Sequence, residues 1–459
     1  MDCSVITLLR WCCAVSLLWA TSSMAATQRH VIVVGVNTSV DAGTPALSFA
    51  DDDAARYAQV LRPQAASLQL LTVLDPELQR AFPALAAEAQ APTEQALRAA
   101  LSTAFANIEA DRRRRGDDAD FVFVFAGHGG VSAQGEGYVS LLDARLTRAE
   151  VFASIVGASP ARFNHIIVDA CSAYLLLHRG SASAAVRGLL ETANLERHAN
   201  TGALLATSRD QATHEWSRIR GGVFSHQVLS ALAGAADVDG DDQLTYAEVG
   251  AFVEAANAGV LDQRARVDVA VSPPRALLQR PLWQLPPRNN STFVLEAQLS
   301  GRVTIFDGRG DIRLDLHKSA EQALAVRLFG PTPFVALLAG REYSLEHDEE
   351  RVGFRLGAGA SESVAARGSL DEALARGLYT VPFGRGYVAG YTAQLQRQAQ
   401  TTSASVLPAT ASSNTLRAPP DRGLVHHCRC GGRHRRRRGS GRGEQPCGAQ
   451  HGRQHVDCL

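Results

Sequence analysis

Four short runs of apolar residues, rich in β-branched and aromatic side chains and spaced by amphipathic stretches, constrain this chain most. His30 to Val36 is the continuous run expected of a strand buried on both faces. Phe121 to Ala126, Ile166 to Val168 and Ala203 to Thr207 repeat the pattern. Between them, Asp51 to Leu61 carries Ala54, Tyr57, Ala58 and Leu61 at helical spacing. Thr93 can cap a second helix whose apolar side is Leu97, Leu101, Phe105 and Ile108. Strands alternating with helices predict an α/β fold, a mostly parallel sheet with helices on both faces. In such sheets, chemistry gathers just past the carboxyl ends of the strands.

The pattern changes at Pro286-Pro287. Thr292 to Glu296, Arg302 to Phe306, Ile312 to Leu316 and Ala325 to Phe329 alternate apolar and polar residues between Gly and Asp turns, as a small antiparallel β-domain would. The domains read as 28–286, 288–360 for the β-domain, and 361–416 for a mixed segment, helical near Leu370 to Leu378, with a Ser/Thr/Ala-rich linker. A chain of 459 residues has room for two to three domains at about 100–200 residues each. With 46% hydrophobic and 20% charged residues, wholesale disorder is excluded.

Residues 1–25 read as a secretory signal: Arg10, a short apolar stretch from Trp11 to Ala20, then Ser23-Met24-Ala25 for cleavage after Ala25. The expected location is periplasmic or secreted, with no transmembrane segment left after cleavage. Residues 417–459, with ten arginines against three acids, read as a disordered basic tail, a composition that a shifted reading frame also produces. The overall balance of 46 basic and 46 acidic residues is therefore a cancellation, since Ala26 to Leu416 holds 35 basic and 42 acidic. Nothing in it points to a nucleic-acid partner. Of eight cysteines, three fall in the leader and four in the tail, which leaves Cys171.

Two of the strands end in reactive groups. One finishes Gly127-His128-Gly129-Gly130, the other Asp169-Ala170-Cys171-Ser172. A lone cysteine is commonly structural, but in a parallel sheet these two ends can lie side by side. A neutral imidazole there takes the thiol proton and leaves the thiolate, the competent nucleophile.

Phe125-Ala126-Gly127-His128-Gly129, with Asp169-Ala170-Cys171-Ser172 placing its cysteine 43 residues after the histidine, resembles the caspase and metacaspase superfamily of cysteine peptidases. Asp169 before the Ala-Cys pair is nearer the metacaspase pattern than the animal caspase one. The likeness continues over Ala206 to Gln211 and Gly222 to His226. It implies a caspase-like fold and a Cys171/His128 dyad that hydrolyses protein or peptide substrates, with an oxyanion held by backbone N–H groups near Gly129 and Cys171. No third orienting residue can be assigned, and the chemistry requires no cofactor.

The resemblance also implies a pocket for Arg or Lys lined by Asp53 and Asp169, with Asp52 as the alternative to Asp53, and with Ser208 and Asp210 on its wall. Asp51 to Asp53 also fit an acidic first turn that complements a helix dipole. Arg112 to Arg115 reads as a charge run in a loop. The leading function is an exported cysteine endopeptidase cleaving after basic residues. The alternative is a catalytically silent scaffold or binding protein on the same fold.

Asp237 to Glu248 fits an EF-hand calcium loop, with Asp237, Asp239, Asp241, Gln243 and Glu248 at ligand positions. Asp242 stands at the sixth place, where glycine usually supplies a positive φ. An acidic turn between helices that binds nothing is the competing account.

Overall fold

The computed structural model describes residues 27–115, 119–177, 196–207, 215–289, 292–338, 341–348, 351–356 and 369–405. The expected signal segment and basic tail lie outside them. No helix among the described residues is long and apolar enough to cross a membrane.

The chain is α/β. Among the described residues, twelve strands precede the antiparallel region: β1 (Gln28–Val36), β2 (Ser67–Thr72), β3 (Ala119–Gly127), β4 (Gly129–Val131), β5 (Gly137–Ser140), β6 (Arg145–Thr147), β7 (Phe163–Asp169), β8 (Thr201–Thr207), β9 (Glu215–Trp216), β10 (Gly221–Gly222), β11 (Gln243–Thr245) and β12 (Asp268–Ser272). The central sheet has the order β12-β8-β7-β3-β1-β2. Its strands are parallel except β12, which pairs antiparallel with β8 at the edge.

Alternation along the strands assigns each face its own core. Val31, Val33, Val122, Val124, Ile167 and Leu204 join the helix Ala50–Leu61, which packs through the expected Ala54, Tyr57, Ala58 and Leu61. Ile32, Val34, Phe121, Phe123, Phe125 and Val168 face the helix Glu94–Arg115 through Leu97, Leu101 and Ile108. Arg112 to Arg115 form the last turn of that helix rather than a loop. Glu109 pairs with Arg113 one turn on, Arg112 donates to the Pro160 carbonyl at 3.0 Å, and terminal cations suit the helix dipole.

The antiparallel region comprises β13 (Pro281–Gln284), β14 (Thr292–Leu295), β15 (Gly301–Phe306), β16 (Ile312–Lys318), β17 (Leu324–Arg327), β18 (Phe334–Leu338), β19 (Arg341–Asp348) and β20 (Arg351–Leu356). Five of these strands form one sheet, β16-β15-β18-β19-β20. Its inward residues Val303, Ile305, Leu314 and Leu316 belong to the same core as the helices Val223–Ser230 and Tyr246–Asn257. Lys318, the chain's single lysine, is buried there and donates to the carbonyls of Ala297, Leu299 and Ser319 at 3.2, 2.9 and 2.9 Å. The helical stretch expected near Leu370 is Ser369–Gly377, and much of the segment read as linker is the helix Arg385–Ser405.

Candidate active site

β3 and β7 are neighbours, and Ala126 pairs with Asp169 in their register. His128 and Cys171 each lie two residues beyond that pair, past the carboxyl ends of neighbouring strands. Contact between the two segments is close. A Cβ added to Gly129 would lie 2.2 Å from the Cys171 carbonyl oxygen, so only glycine lets the chain pass there. Ser172 turns away from the strand at φ +56°, a left-handed conformation that is uncommon for a residue with a side chain.

Both side chains are nearly closed to solvent, Cys171 at 7% and His128 at 9% exposure. The His128 main-chain carbonyl accepts from Ser140 N–H at 2.9 Å, which ties the turn after β3 to β5. His128 Nε2 is buried with no hydrogen-bond partner. Burial lowers the imidazole pKa from its ordinary 6.5, against an opposing pull from the backbone of Asn37 and Pro45 and the charge of Asp41. The ring is thus neutral near pH 7 and able to accept a proton.

The three consecutive aspartates have three different tasks. Asp51 accepts from Asn37 Nδ2 at 2.7 Å and from Asp75 N–H at 3.0 Å, fixing the loop beside His128. Asp52 faces Arg56 and Arg220 at 4.0 and 3.9 Å. Asp53 turns toward Asp169. Its Oδ2 accepts from Gly222 N–H at 2.7 Å, while Asp169 Oδ2 accepts from Ser225 N–H at 3.0 Å and Ser225 Oγ–H at 2.7 Å. Asp53 Oδ1 is buried and has no partner. Burial pushes Asp53 well above the usual carboxylate range, with Arg56 pulling it down and Asp169 pushing it further up. Burial likewise pushes Asp169 up to about 6, against the two Ser225 donors.

In the sequence, Ser225 and Gly222 belong to the Gly222 to His226 likeness and carry no local sign of these partners. The helix starts after Gly222, so the free N–H groups of its first turn face Asp169. Ser208 and Asp210 lie outside the described residues.

The acidic loop gathers three of its five expected ligand residues into one cluster, which does not include Glu248. Oxygens of Asp237, Asp239 and Asp241 lie within 4.8 Å of one another. Asp242 adopts φ +60°, so it fills the glycine place in the expected conformation. Its carboxylate also accepts from Arg327 Nη2 at 2.5 Å, a bond that glycine could not make. β11 pairs with β13 where a paired hand would offer a second loop. Glu248 Oε2 accepts from Thr245 N–H and Oγ–H at 2.9 and 2.8 Å, closing a capping box. Burial pushes Asp237 up to about 6 and Glu248 up to about 7, and the neighbouring aspartates push in the same direction. Crowded, partly desolvated carboxylates of this kind suit a hard divalent cation.

The sequence pattern of the caspase domain family matches residues 28–270. The chain belongs to the caspase-domain family. Its caspase domain thus covers the six-stranded sheet, the His128 and Cys171 turns and the acidic loop. Among solved structures, a Geobacter sulfurreducens protein is similar at 16% identity, covering 56% of this chain and 99% of that one, with a TM-score of 0.35. A structure of pro-sf-caspase-1 is similar at 13% identity, over 57% of this chain and 86% of that one, with a TM-score of 0.33. No curated protein matches the chain.

Proposed function

We propose that this member of the caspase-domain family is an exported cysteine endopeptidase that cleaves after basic residues through a Cys171/His128 dyad. The observation that carries the proposal is the strand register, in which each of the two residues follows the Ala126–Asp169 pair by two positions. His128 removes the thiol proton, and the thiolate forms a C–S bond to the scissile carbonyl carbon. Backbone N–H groups near Gly129 and Cys171 hold the oxyanion, each such donor contributing about 3 kcal/mol. The imidazolium then protonates the leaving amine as the C–N bond breaks. Water, deprotonated by His128, hydrolyses the thioester and the thiol is restored.

Preference for Arg rests on the meeting of Asp53 and Asp169. A guanidinium can serve both carboxylates with paired charged hydrogen bonds, including the unpartnered Asp53 Oδ1. It also relieves the penalty of their burial. Calcium is proposed as a structural clip of the acidic loop, held by Asp237, Asp239, Asp241, Gln243 and Glu248, and takes no part in the dyad chemistry.

The test is hydrolysis of Arg-ended and Asp-ended fluorogenic peptides by the parent protein and by Cys171→Ala, with and without calcium. Turnover of the Arg-ended peptide that vanishes in Cys171→Ala supports the proposal. Preference for the Asp-ended peptide overturns the basic pocket, and absence of Cys171-dependent turnover on both favours the silent scaffold.

A further inference from the structure

One short segment, Arg220 to Ser230, carries all three donors that grip the two specificity carboxylates: Gly222 N–H on Asp53, and Ser225 N–H and Oγ–H on Asp169. Both ends of this segment are tied to the antiparallel sheet. On one side, Arg220 makes a two-pronged bond to Glu77 at 3.1 Å per prong, and Glu77 also accepts from Arg309, in the turn between β15 and β16, at 2.8 Å. Arg220 itself sits at φ +47°. That strain persists because the surroundings hold it. On the other side, His226, the neighbour of Ser225, bonds through Nε2 to Asp315 of β16 at 3.0 Å. Asp315 N–H donates to Ser230 Oγ at 3.2 Å, and Thr304 of β15 donates to Asp315 Oδ1 at 2.5 Å. The His226–Asp315 pair is buried, so its geometry is fixed.

We infer that the β15–β16 hairpin of the antiparallel region is a built-in part of the specificity pocket, with Glu77 and Asp315 as positioning residues that set how Asp53 and Asp169 meet an arginine side chain. This rests on the proposed basic pocket and extends it: the region after residue 287 acts on the substrate side chain through the Arg220–Ser230 segment. These bonds end on the Asp53 and Asp169 carboxylates, short of the His128 and Cys171 side chains. Loosening them therefore weakens side-chain recognition more than the bond-breaking steps.

The experiment compares the full chain with Glu77→Gln and Asp315→Asn. Glu77 is about half exposed, so its variant folds irrespective of the fate of the buried one. KM and kcat are measured on an Arg-ended peptide. Calorimetry follows N-acetyl-arginine amide binding to the same variants in a Cys171→Ala background, where no turnover is needed. The expected result is about a tenfold rise in KM with kcat within about twofold, and an equal loss of amide affinity, in each folded variant. Variants that bind the amide as tightly as their parent overturn the inference. A parent that binds the amide but hydrolyses nothing overturns the peptidase proposal, and weaker binding by the variants still upholds this one. A parent that binds no amide overturns the basic pocket and this inference together.

Discussion

Asp53 and Asp169, one at the start of a helix and the other at the end of a strand, bring their carboxylates together over the α-carbon of Gly222. A Cβ placed there would lie 2.4 Å from Asp169 Oδ2 and 3.2 Å from Asp53 Oδ2. Gly222 has φ −68°, so the backbone itself accepts any residue and only the space is lacking. Gly222→Ala is expected to displace Asp169 from Ser225 and cost about 1–3 kcal/mol of stability. Cleavage after arginine should fall more than cleavage after an uncharged residue. Thermal unfolding and paired peptide assays check both parts.

His128 and Cys171 make a second prediction. Replacing His128 with Gln should lower the rate by about 10²–10⁴-fold, and Cys171→Ala should abolish it. Burial lowers the imidazole pKa, so its base form persists to lower pH than in a free histidine. The acidic limb of kcat/KM is therefore expected below pH 6.5, the ordinary imidazole value, in a pH–rate profile of the parent protein.

Gly129 gives a third. Its close approach to the Cys171 carbonyl leaves no room for a methyl group. Gly129→Ala should push the His128 and Cys171 turns apart, lowering kcat by about 10²-fold or more, while the antiparallel sheet remains folded. Alkylation of the Cys171 thiol should change in rate, and circular dichroism should retain the native spectrum.

On the proposed calcium clip, calcium and protons compete for the same loop. Asp237 and Glu248 have folded pKa values raised to about 6 and about 7, so their contribution to stability is fully present at pH values below the unfolded carboxylate range. It is lost as pH rises through about 6 and about 7, when the crowded carboxylates ionise. A bound cation reverses that loss. The rise in Tm produced by calcium over chelator should thus be small at pH 5 and grow through pH 7. A Tm difference independent of pH would count against the loop as the binding site.

The sheet was legible because strands buried on both faces leave continuous apolar runs, as Val31 to Val34 and Phe121 to Phe125 do. The His128 and Cys171 turns could be placed at strand ends by the same reasoning. The edge strand β12 carries only half-buried residues on much of its length and leaves a weaker pattern. The roles of Gly222 and Ser225 depend on residues more than 50 positions away, and no local pattern encodes such distant partners. The choice of Asp53 over Asp52 is of the same kind: adjacent helix positions point about 100° apart, and only the fold reveals which direction meets Asp169. Arg112 to Arg115 misled for the opposite reason, since an unbroken charge run fits a helix end as well as a loop.

The buried Lys318 has a practical consequence. Every other basic side chain in the sequence is an arginine or a histidine, so no ε-amine reaches the surface of the folded protein. Amine-directed acylation should attach at the chain's α-amino group alone. A dye or biotin coupled this way yields a uniform, singly labelled product, and a second label appearing during heating reports that the core around β16 has opened.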